Sequence, residues 1–156
     1  MTEDAHTFHH GFASVLLATA TTDGHPTASY APYLSDEQPL LFYIFISELA
    51  EHTGNLLQNP KASLLFIDNE AESGSLFARK RITYSCKVEA ISRDQLIFDT
   101  LLDRFEARHG STMALLRTFQ DFHLFRLTPT KASYVRGFGD AFEFDLNPLD
   151  GRIPTE

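Results

Sequence analysis

The chain has 156 residues, 43% of them hydrophobic, so it is long enough for one domain with its own core and too short to favour a second. Its formal net charge is −8 and its 13 Lys and Arg residues are scattered, which argues against a nucleic-acid partner because neutralising phosphates needs clustered cations. The single cysteine, Cys86, excludes an internal disulfide. No long apolar run or secretory leader is seen, so we expect no membrane partner and a cytoplasmic location.

The first elements along the chain are predicted to be a short helix and three strands. Phe8 and Phe12, four residues apart, indicate a helix over residues 2–12. Strands are predicted over residues 15–20 and 27–33, because the Asp23-Gly24 pair between them is typical of a tight hairpin turn. A third strand, over residues 40–46, follows a polar turn. Together they predict an antiparallel meander.

The middle of the chain contains the clearest strand signal. A short helix is predicted to end at Pro60, a strand to follow over residues 62–67, and an acidic loop to span residues 68–78. From residue 81 to residue 90, apolar and polar side chains alternate, with Tyr84, Cys86 and Val88 on the apolar face. This pattern predicts a strand that is buried on one face, with Cys86 as an inert core thiol.

Two helices and three strands are predicted to complete the chain. Asp94 is the expected N-cap of a helix that ends at Gly110 and has one apolar stripe, namely Leu96, Ile97, Leu101, Leu102 and Phe105. A shorter helix over 111–119 and strands over 122–127, 132–135 and 141–144 follow. Seven or so short strands with helices between them predict a mainly β chain of the α+β class, a small barrel with helical insertions. It forms a single domain over residues 1–156, with residues 145–156 as an acidic tail.

Short hydrogen-bonding side chains are concentrated where the third predicted strand ends. Ser47 follows the apolar run and precedes a helical stretch that contains His52, Thr53 and Asn55. The exposed N–H groups of a helix start attract anions, and these four side chains add donors, so the stretch is a candidate phosphate site. The alternative is that Ser47 only caps the helix and the other three lie on a solvated face.

Several segments resemble one known family. The run from Ser47 to Leu56 and the following Asn59-Pro60-Lys61-Ala62-Ser63 are similar to the flavin-mononucleotide-binding split barrels related to pyridoxamine 5'-phosphate oxidase, and most similar to their heme-iron-utilisation branch. The resemblance extends over residues 13–144. It includes the hairpin at Asp23-Gly24-His25-Pro26, residues 78–83, residues 121–127 and the Gly137-Phe138-Gly139 turn.

The resemblance implies a homodimeric split barrel with flavin mononucleotide (FMN) bound between the subunits. By motif position, Ser47, His52, Thr53 and Asn55 hold the phosphate, Arg81 supplies its counter-charge, and Ser29 and Tyr30 lie along the rest of the flavin. The implied function is that of an FMN-dependent oxidoreductase acting on a small substrate. Pyridoxamine oxidases carry an Arg-Lys pair in the phosphate loop and a C-terminal tryptophan, whereas this chain has His52-Thr53 and no tryptophan, so pyridoxamine phosphate is not the expected substrate.

Heme is the alternative ligand implied by the resemblance. Heme-degrading members of the similar branch ligate iron through a histidine on a C-terminal extension, but no His, Cys or Met follows His123 in this sequence. His123 with Asp121 is the substitute candidate, because a carboxylate can orient an imidazole for metal ligation. A heme-binding or heme-degrading protein without stably bound flavin is therefore the second hypothesis. A non-catalytic dimer that scavenges flavin or responds to stress is the third.

The N-terminal segment carries three histidines at metal-ligand spacing. His6, His9 and His10 fall at i, i+3 and i+4, which aligns them on one face of a helix. No nearby carboxylate or cysteine completes a recognisable motif, so the sequence predicts no metal site there.

Overall fold

A computed structural model describes residues 1–146. Residues 147–156, which make up most of the predicted acidic tail, lie outside the described residues. Within residues 1–146, no helix has both the length and the apolar content that a membrane span requires.

The N-terminal segment and the first hairpin match the prediction closely. Helix α1 (Glu3–Thr7) runs into a 3-10 turn (Phe8–Gly11), and the segment docks on the core, with Ala5 and His9 fully buried. Strands β1 (Ser14–Ala20) and β2 (Pro26–Pro32) pair antiparallel along their whole length. Gly24 has a φ of 90°, which explains the glycine in the turn between them.

The predicted meander is wrong, because the chain inserts an extra strand. Residues assigned to a polar turn form β3 (Leu34–Glu37), which pairs with β4 (Leu40–Ser47). The other edge of β4 pairs with a strand from the C-terminal part of the chain and not with β2. After β4 come α2 (Glu51–Gln58), which ends before Pro60 as predicted, and β5 (Lys61–Ile67).

The second half of the sheet contains two long strands. Strand β6 (Arg81–Ile91) buries Tyr84, Cys86 and Val88 as the alternation predicted. Its partner β7 (Phe122–Gly137) is one continuous strand where two were predicted, and β8 (Asp140–Asp145) pairs with its end. Pro129 does not end β7, because it lies opposite Cys86 at a shift in register, where a proline without an N–H is tolerated.

Two helices cover one side of the sheet. Helix α3 (Leu96–His109) ends at Gly110 as predicted, and α4 (Thr112–Leu116) follows. Asp94 is not the N-cap, because that position is Gln95 and the Asp94 carboxylate accepts a hydrogen bond from Ser92. Leu96 is 96% exposed, so it is not part of the buried stripe.

The eight described strands form one mainly antiparallel sheet in the order β2-β1-β5-β6-β7-β4-β3, with β8 on β7. One core fills the inside of the curved sheet, and a second lies between the sheet and α3 and α4. Strands β2 and β4 approach each other without forming a ladder. The barrel is therefore split between β2 and β4.

Candidate functional site

The turn after β4 is organised by Ser47. Its Oγ accepts a hydrogen bond from the Leu49 N–H at 3.1 Å, and its carbonyl oxygen accepts one from the Ala50 N–H at 3.1 Å. Helix α2 begins only at Glu51, and its N-cap, Ala50, provides no side-chain cap. The prediction that Ser47 caps the helix is therefore wrong, since Ser47 closes the turn that precedes it.

Thr53 and Asn55 are buried and use their polar atoms inside the protein. The Thr53 hydroxyl donates to the Ser47 carbonyl oxygen at 2.5 Å. The Asn55 Nδ2 donates to the hydroxyls of Thr19 at 3.0 Å and Thr27 at 3.1 Å. These bonds fix α2 to the turn and to the β1–β2 hairpin. The alternative placed both residues on a solvated face, and that prediction is wrong because both are buried. Their internal hydrogen bonds also occupy donors that the phosphate hypothesis needs.

A shallow hollow at this turn has the wrong charge for a phosphate. Among residues 1–146, seven line it, of which two carry carboxylates and none is a lysine or arginine: Glu48, Leu49, Ala50, Glu51, Gly54, Asn55 and Gln58. A phosphate group in this hollow would face like charges without a cationic partner. The residues of one chain therefore do not fit the FMN phosphate at this place.

Arg81 lies away from the predicted cluster. It is the first residue of β6 and pairs with Ile67, the last residue of β5, and its Nη1 donates to the Arg79 carbonyl oxygen at 2.9 Å. Asn55 instead donates a hydrogen bond to Thr19 of β1. The residue before Thr19 pairs with Ser63 of β5, so Asn55 lies near Ser63. Ser63 and Ile67 are about 13 Å apart along a strand. Within one chain, Arg81 and the Ser47–Asn55 cluster are not brought together.

His52 is the member of the cluster that could bind a ligand through a ring nitrogen. It is 7% exposed, and its Nδ1 lies 2.7 Å from the Ser29 Oγ of β2. Ser29 also lies 3.3 Å from the Leu17 carbonyl oxygen, which fixes its hydroxyl between β1 and α2. Burial lowers the pKa of His52, so its imidazole is held neutral near pH 7. Because Nδ1 is bonded to Ser29, Nε2 is the nitrogen left for a ligand.

A cavity of about 390 Å³ lies at the split of the barrel, between β2, the end of β4 and the helices α3 and α4. His52, Ser47 and Tyr30 line it, so three of the predicted site residues meet there. Most of the wall is apolar and includes Phe45, Phe105, Met113, Leu116 and Phe122. The cavity is a concave, mostly apolar site with a few polar groups, which is typical of small-molecule binding.

Two further cavity residues were not singled out by the sequence. His109, the last residue of α3, and Met113 of α4 both line the cavity. The Nε2 of His109 donates to the Tyr33 carbonyl oxygen at 2.9 Å, which fixes the ring. In the sequence, the position of His109 beside the predicted C-cap Gly110 is a feature of the helix end and does not indicate a site. No local pattern indicates that α3 and α4 face β2, so neither His109 nor Met113 could be predicted to line a cavity.

His123 has a carboxylate partner, although not the predicted one. Its Nε2 lies 2.5 Å from Glu48 Oε1, whereas Asp121 contributes its backbone oxygen to the Glu48 N–H at 2.8 Å. The predicted pairing of His123 with the Asp121 side chain is thus replaced by a pairing with Glu48. His123 is on β7 opposite Ile46 and does not line the cavity, although its neighbour Phe122 does.

Comparison with proteins of known sequence gives two curated relatives. Heme oxygenase HutZ of Vibrio cholerae is 36% identical over 133 residues, which cover 85% of this chain and 74% of that protein. Non-canonical heme oxygenase HOZ, chloroplastic, of Arabidopsis thaliana is 30% identical over 145 residues, which cover 90% of this chain and 41% of that protein. The chain thus spans less than half of the Arabidopsis relative.

Solved structures agree with the sequence comparison. The structure of HutZ, described as the heme storage protein from Vibrio cholerae, superposes with a TM-score of 0.77 at 32% identity, covering 84% of this chain and 92% of that one. Campylobacter jejuni ChuZ gives a TM-score of 0.78 at 32% identity, covering 95% of this chain and 59% of that one.

The family is shown by the extent of these matches. The family model described as Pyridoxamine 5'-phosphate oxidase matches residues 1–136, which is most of the chain. The split barrel and the predicted resemblance to the heme-iron-utilisation branch agree with that match. The chain therefore belongs to the pyridoxamine 5'-phosphate oxidase family.

Proposed function

We propose that the protein binds heme and takes part in its degradation. The observation that carries this proposal is the 36% identity to a curated heme oxygenase over 85% of the chain. A second relative, at 30% identity, is also named a heme oxygenase. The heme hypothesis, which was the alternative in the sequence analysis, thus replaces the flavin-dependent oxidoreductase as the favoured function.

The cavity at the split of the barrel is the proposed heme site. Its volume of about 390 Å³ lies within the range of small-molecule pockets, and its partly enclosed form would leave one edge of a porphyrin in contact with solvent. The rings of Phe45, Phe105 and Phe122 offer an apolar wall to the flat macrocycle. Such a wall supports a ligand whose main surface is hydrocarbon.

His52 is the proposed iron ligand. A neutral imidazole is the form that ligates metals, and burial lowers the pKa of His52 so that this form prevails near pH 7. The hydrogen bond between its Nδ1 and Ser29 fixes the ring, as partners of metal-bound histidines commonly do. His123 is the second candidate, because its pairing with Glu48 provides similar support, but it lies outside the cavity wall.

A titration of the purified protein with hemin tests the proposal. We expect a shifted and sharpened Soret band that saturates at one hemin per chain. Loss of this band after ascorbate is added in air would support degradation, and a stable band would limit the function to binding. A spectrum identical to that of free hemin at every ratio would refute the proposal.

FMN remains a second candidate ligand because of the family to which the chain belongs. No lysine or arginine of the described part of the chain lines the hollow at 48–58, which predicts that FMN binds weakly. A parallel titration monitored by flavin fluorescence separates the two ligands. We expect the protein to be saturated with hemin at concentrations at which it leaves FMN fluorescence unchanged. Quenching of FMN fluorescence by an equimolar amount of protein would show that FMN is the preferred ligand.

The homodimer also remains a proposal. On the outer face of β1 and β2, Leu16 is 46% exposed opposite Tyr30, which is 66% exposed, and Ala18 lies opposite Ala28. Adjacent exposed apolar side chains of this kind mark interaction surfaces. Tyr30 also lines the cavity, so a second copy bound to this face would lie next to the proposed heme site.

A further inference from the structure

A second cluster of ligating side chains lies outside the cavity, where the N-terminal segment meets β3. The Nε2 atoms of His10 and His9 lie 2.8 and 3.2 Å from Glu37 Oε1, and the Nε2 of His6 lies 3.5 Å from Glu37 Oε2. The ligand atoms of His9, His10 and Glu37 all fall within 4.8 Å of one another. The carboxylate that the sequence motif lacked is thus supplied by a residue 27 positions beyond His10.

Polar atoms in this cluster lack partners. Five buried side-chain atoms among the described residues have no hydrogen bond, and three of them are His6 Nδ1, His9 Nδ1 and Glu37 Oε2. By contrast, Glu37 Oε1 is shared by His9, His10 and the Ser35 hydroxyl. Glu37 Oε2 has no hydrogen bond, and His6 Nε2 lies 3.5 Å from it. Buried polar atoms normally have a hydrogen-bond partner, so this oxygen beside three imidazoles is open to a further ligand.

The protein fixes both sides of the cluster. The Tyr33 hydroxyl lies 2.5 Å from the His9 carbonyl oxygen and 2.9 Å from the Phe12 carbonyl oxygen and shares its one proton between them. The centroids of the His9 and Phe42 rings are 5.2 Å apart. Glu37 ends β3, opposite Leu40 of β4. His9 and Glu37 are therefore held by packed elements before any ligand binds, which lowers the cost of forming a site.

The chemistry of the donors identifies the kind of ligand. Glu37 Oε1 faces the Nε2 atoms of His9 and His10, and Glu37 Oε2 is a second carboxylate oxygen without a hydrogen bond, so the cluster offers imidazole nitrogens together with one carboxylate. Imidazole nitrogens with one carboxylate suit Zn²⁺ and similar transition metals, whereas Mg²⁺ and Ca²⁺ prefer oxygen ligands. Donor atoms in a tetrahedral zinc site are roughly 3.3–3.5 Å apart. The ligand atoms of His9, His10 and Glu37 already lie within 4.8 Å of one another, and His6 Nε2 lies 3.5 Å from Glu37 Oε2.

We propose that His6, His9, His10 and Glu37 bind one divalent transition-metal ion of the zinc class. The ion would join the N-terminal segment to β3 and bind the Glu37 oxygen that has no hydrogen bond. This site is independent of heme binding, because none of the four residues lines the cavity.

Zinc calorimetry on the full-length chain, made without a histidine tag and stripped with a chelator, tests the proposal in the absence of hemin. We expect about one Zn²⁺ per chain and a Zn²⁺-dependent rise in melting temperature. His10→Ala and Glu37→Gln should each weaken zinc binding by roughly tenfold or more and remove the rise. Because the His10 side chain is half exposed, His10→Ala should keep its fold, which circular dichroism would verify.

The matched control is His25→Ala, which removes an exposed histidine of the β1–β2 turn and should bind zinc as the wild type does. Substitution of Co²⁺ for Zn²⁺ adds a direct readout, since visible bands typical of tetrahedral cobalt should appear in the wild type and not in Glu37→Gln. Wild-type protein that takes up no zinc, or His10→Ala and Glu37→Gln variants that bind it unchanged, would overturn the proposal.

Discussion

Asn55 connects helix α2 to the first hairpin through one amide group. Its Nδ2 donates to Thr19 and Thr27, and the side chain is buried. Asn55→Ala should destabilise the protein by about 1–3 kcal/mol, because it removes one partner from the buried Thr19 hydroxyl and one from the half-buried Thr27 hydroxyl. Urea unfolding measures this loss. Gln58→Ala on the exposed face of the same helix is the control and should stay within about 0.5 kcal/mol of the wild type.

Cys86 is predicted to be chemically silent in the folded protein. It is buried in the barrel core, and burial raises the pKa of its thiol, so almost no thiolate forms near pH 8. Ellman's reagent should label no thiol in the native protein and one per chain in guanidinium chloride. Rapid stoichiometric labelling under native conditions would show that Cys86 is accessible and contradict this packing.

At the residue scale, the sequence identified which side chains are polar but not which partners they have. The predicted phosphate donors Thr53 and Asn55 have internal partners, and those of Asn55 lie 28 and 36 residues away. The partner of His123 is Glu48, 75 residues away. Such partners depend on strand register, which a local pattern of residues does not contain.

The same substitution should have opposite effects in two helices. Gly110 ends α3 with a φ of 94°, so Gly110→Ala should cost about 1–2 kcal/mol through backbone strain. Gly54 lies within α2, and a Cβ there meets nothing within 4 Å, so Gly54→Ala should stabilise by about 0.5–1 kcal/mol. Thermal unfolding of both variants checks the signs. Equal effects would contradict the helix assignments.

At the element scale, local signals predicted well and long-range pairing did not. The β1–β2 hairpin, the end of α2 before Pro60 and the alternation of β6 each depend on a few adjacent residues, and all three are present. Strand β3 was missed because Ser35, Asp36 and Glu37 are typical of turns, and its pairing with β4 outweighs that preference. The continuity of β7 past Pro129 depends on the shift in its pairing with β6.

At the scale of the whole molecule, the outer face of β1 and β2 is expected to hold two copies together. Leu16→Glu should dissociate the proposed dimer, because it would bury a carboxylate in an apolar contact. Sedimentation analysis should then show a mass near 17.6 kDa in place of twice that value. Leu96→Glu, at an exposed leucine on α3, is the control and should leave the mass unchanged. A monomeric wild type would refute the dimer.

The cavity at the split of the barrel is proposed to bind heme through His52. The most direct test is the hemin spectrum of His52→Ala, measured beside that of His123→Ala. We predict that His52→Ala loses the shifted Soret band and regains it when imidazole is added, whereas His123→Ala keeps the wild-type band. A wild-type band in His52→Ala, together with its loss in His123→Ala, would contradict the claim and move the iron out of the cavity.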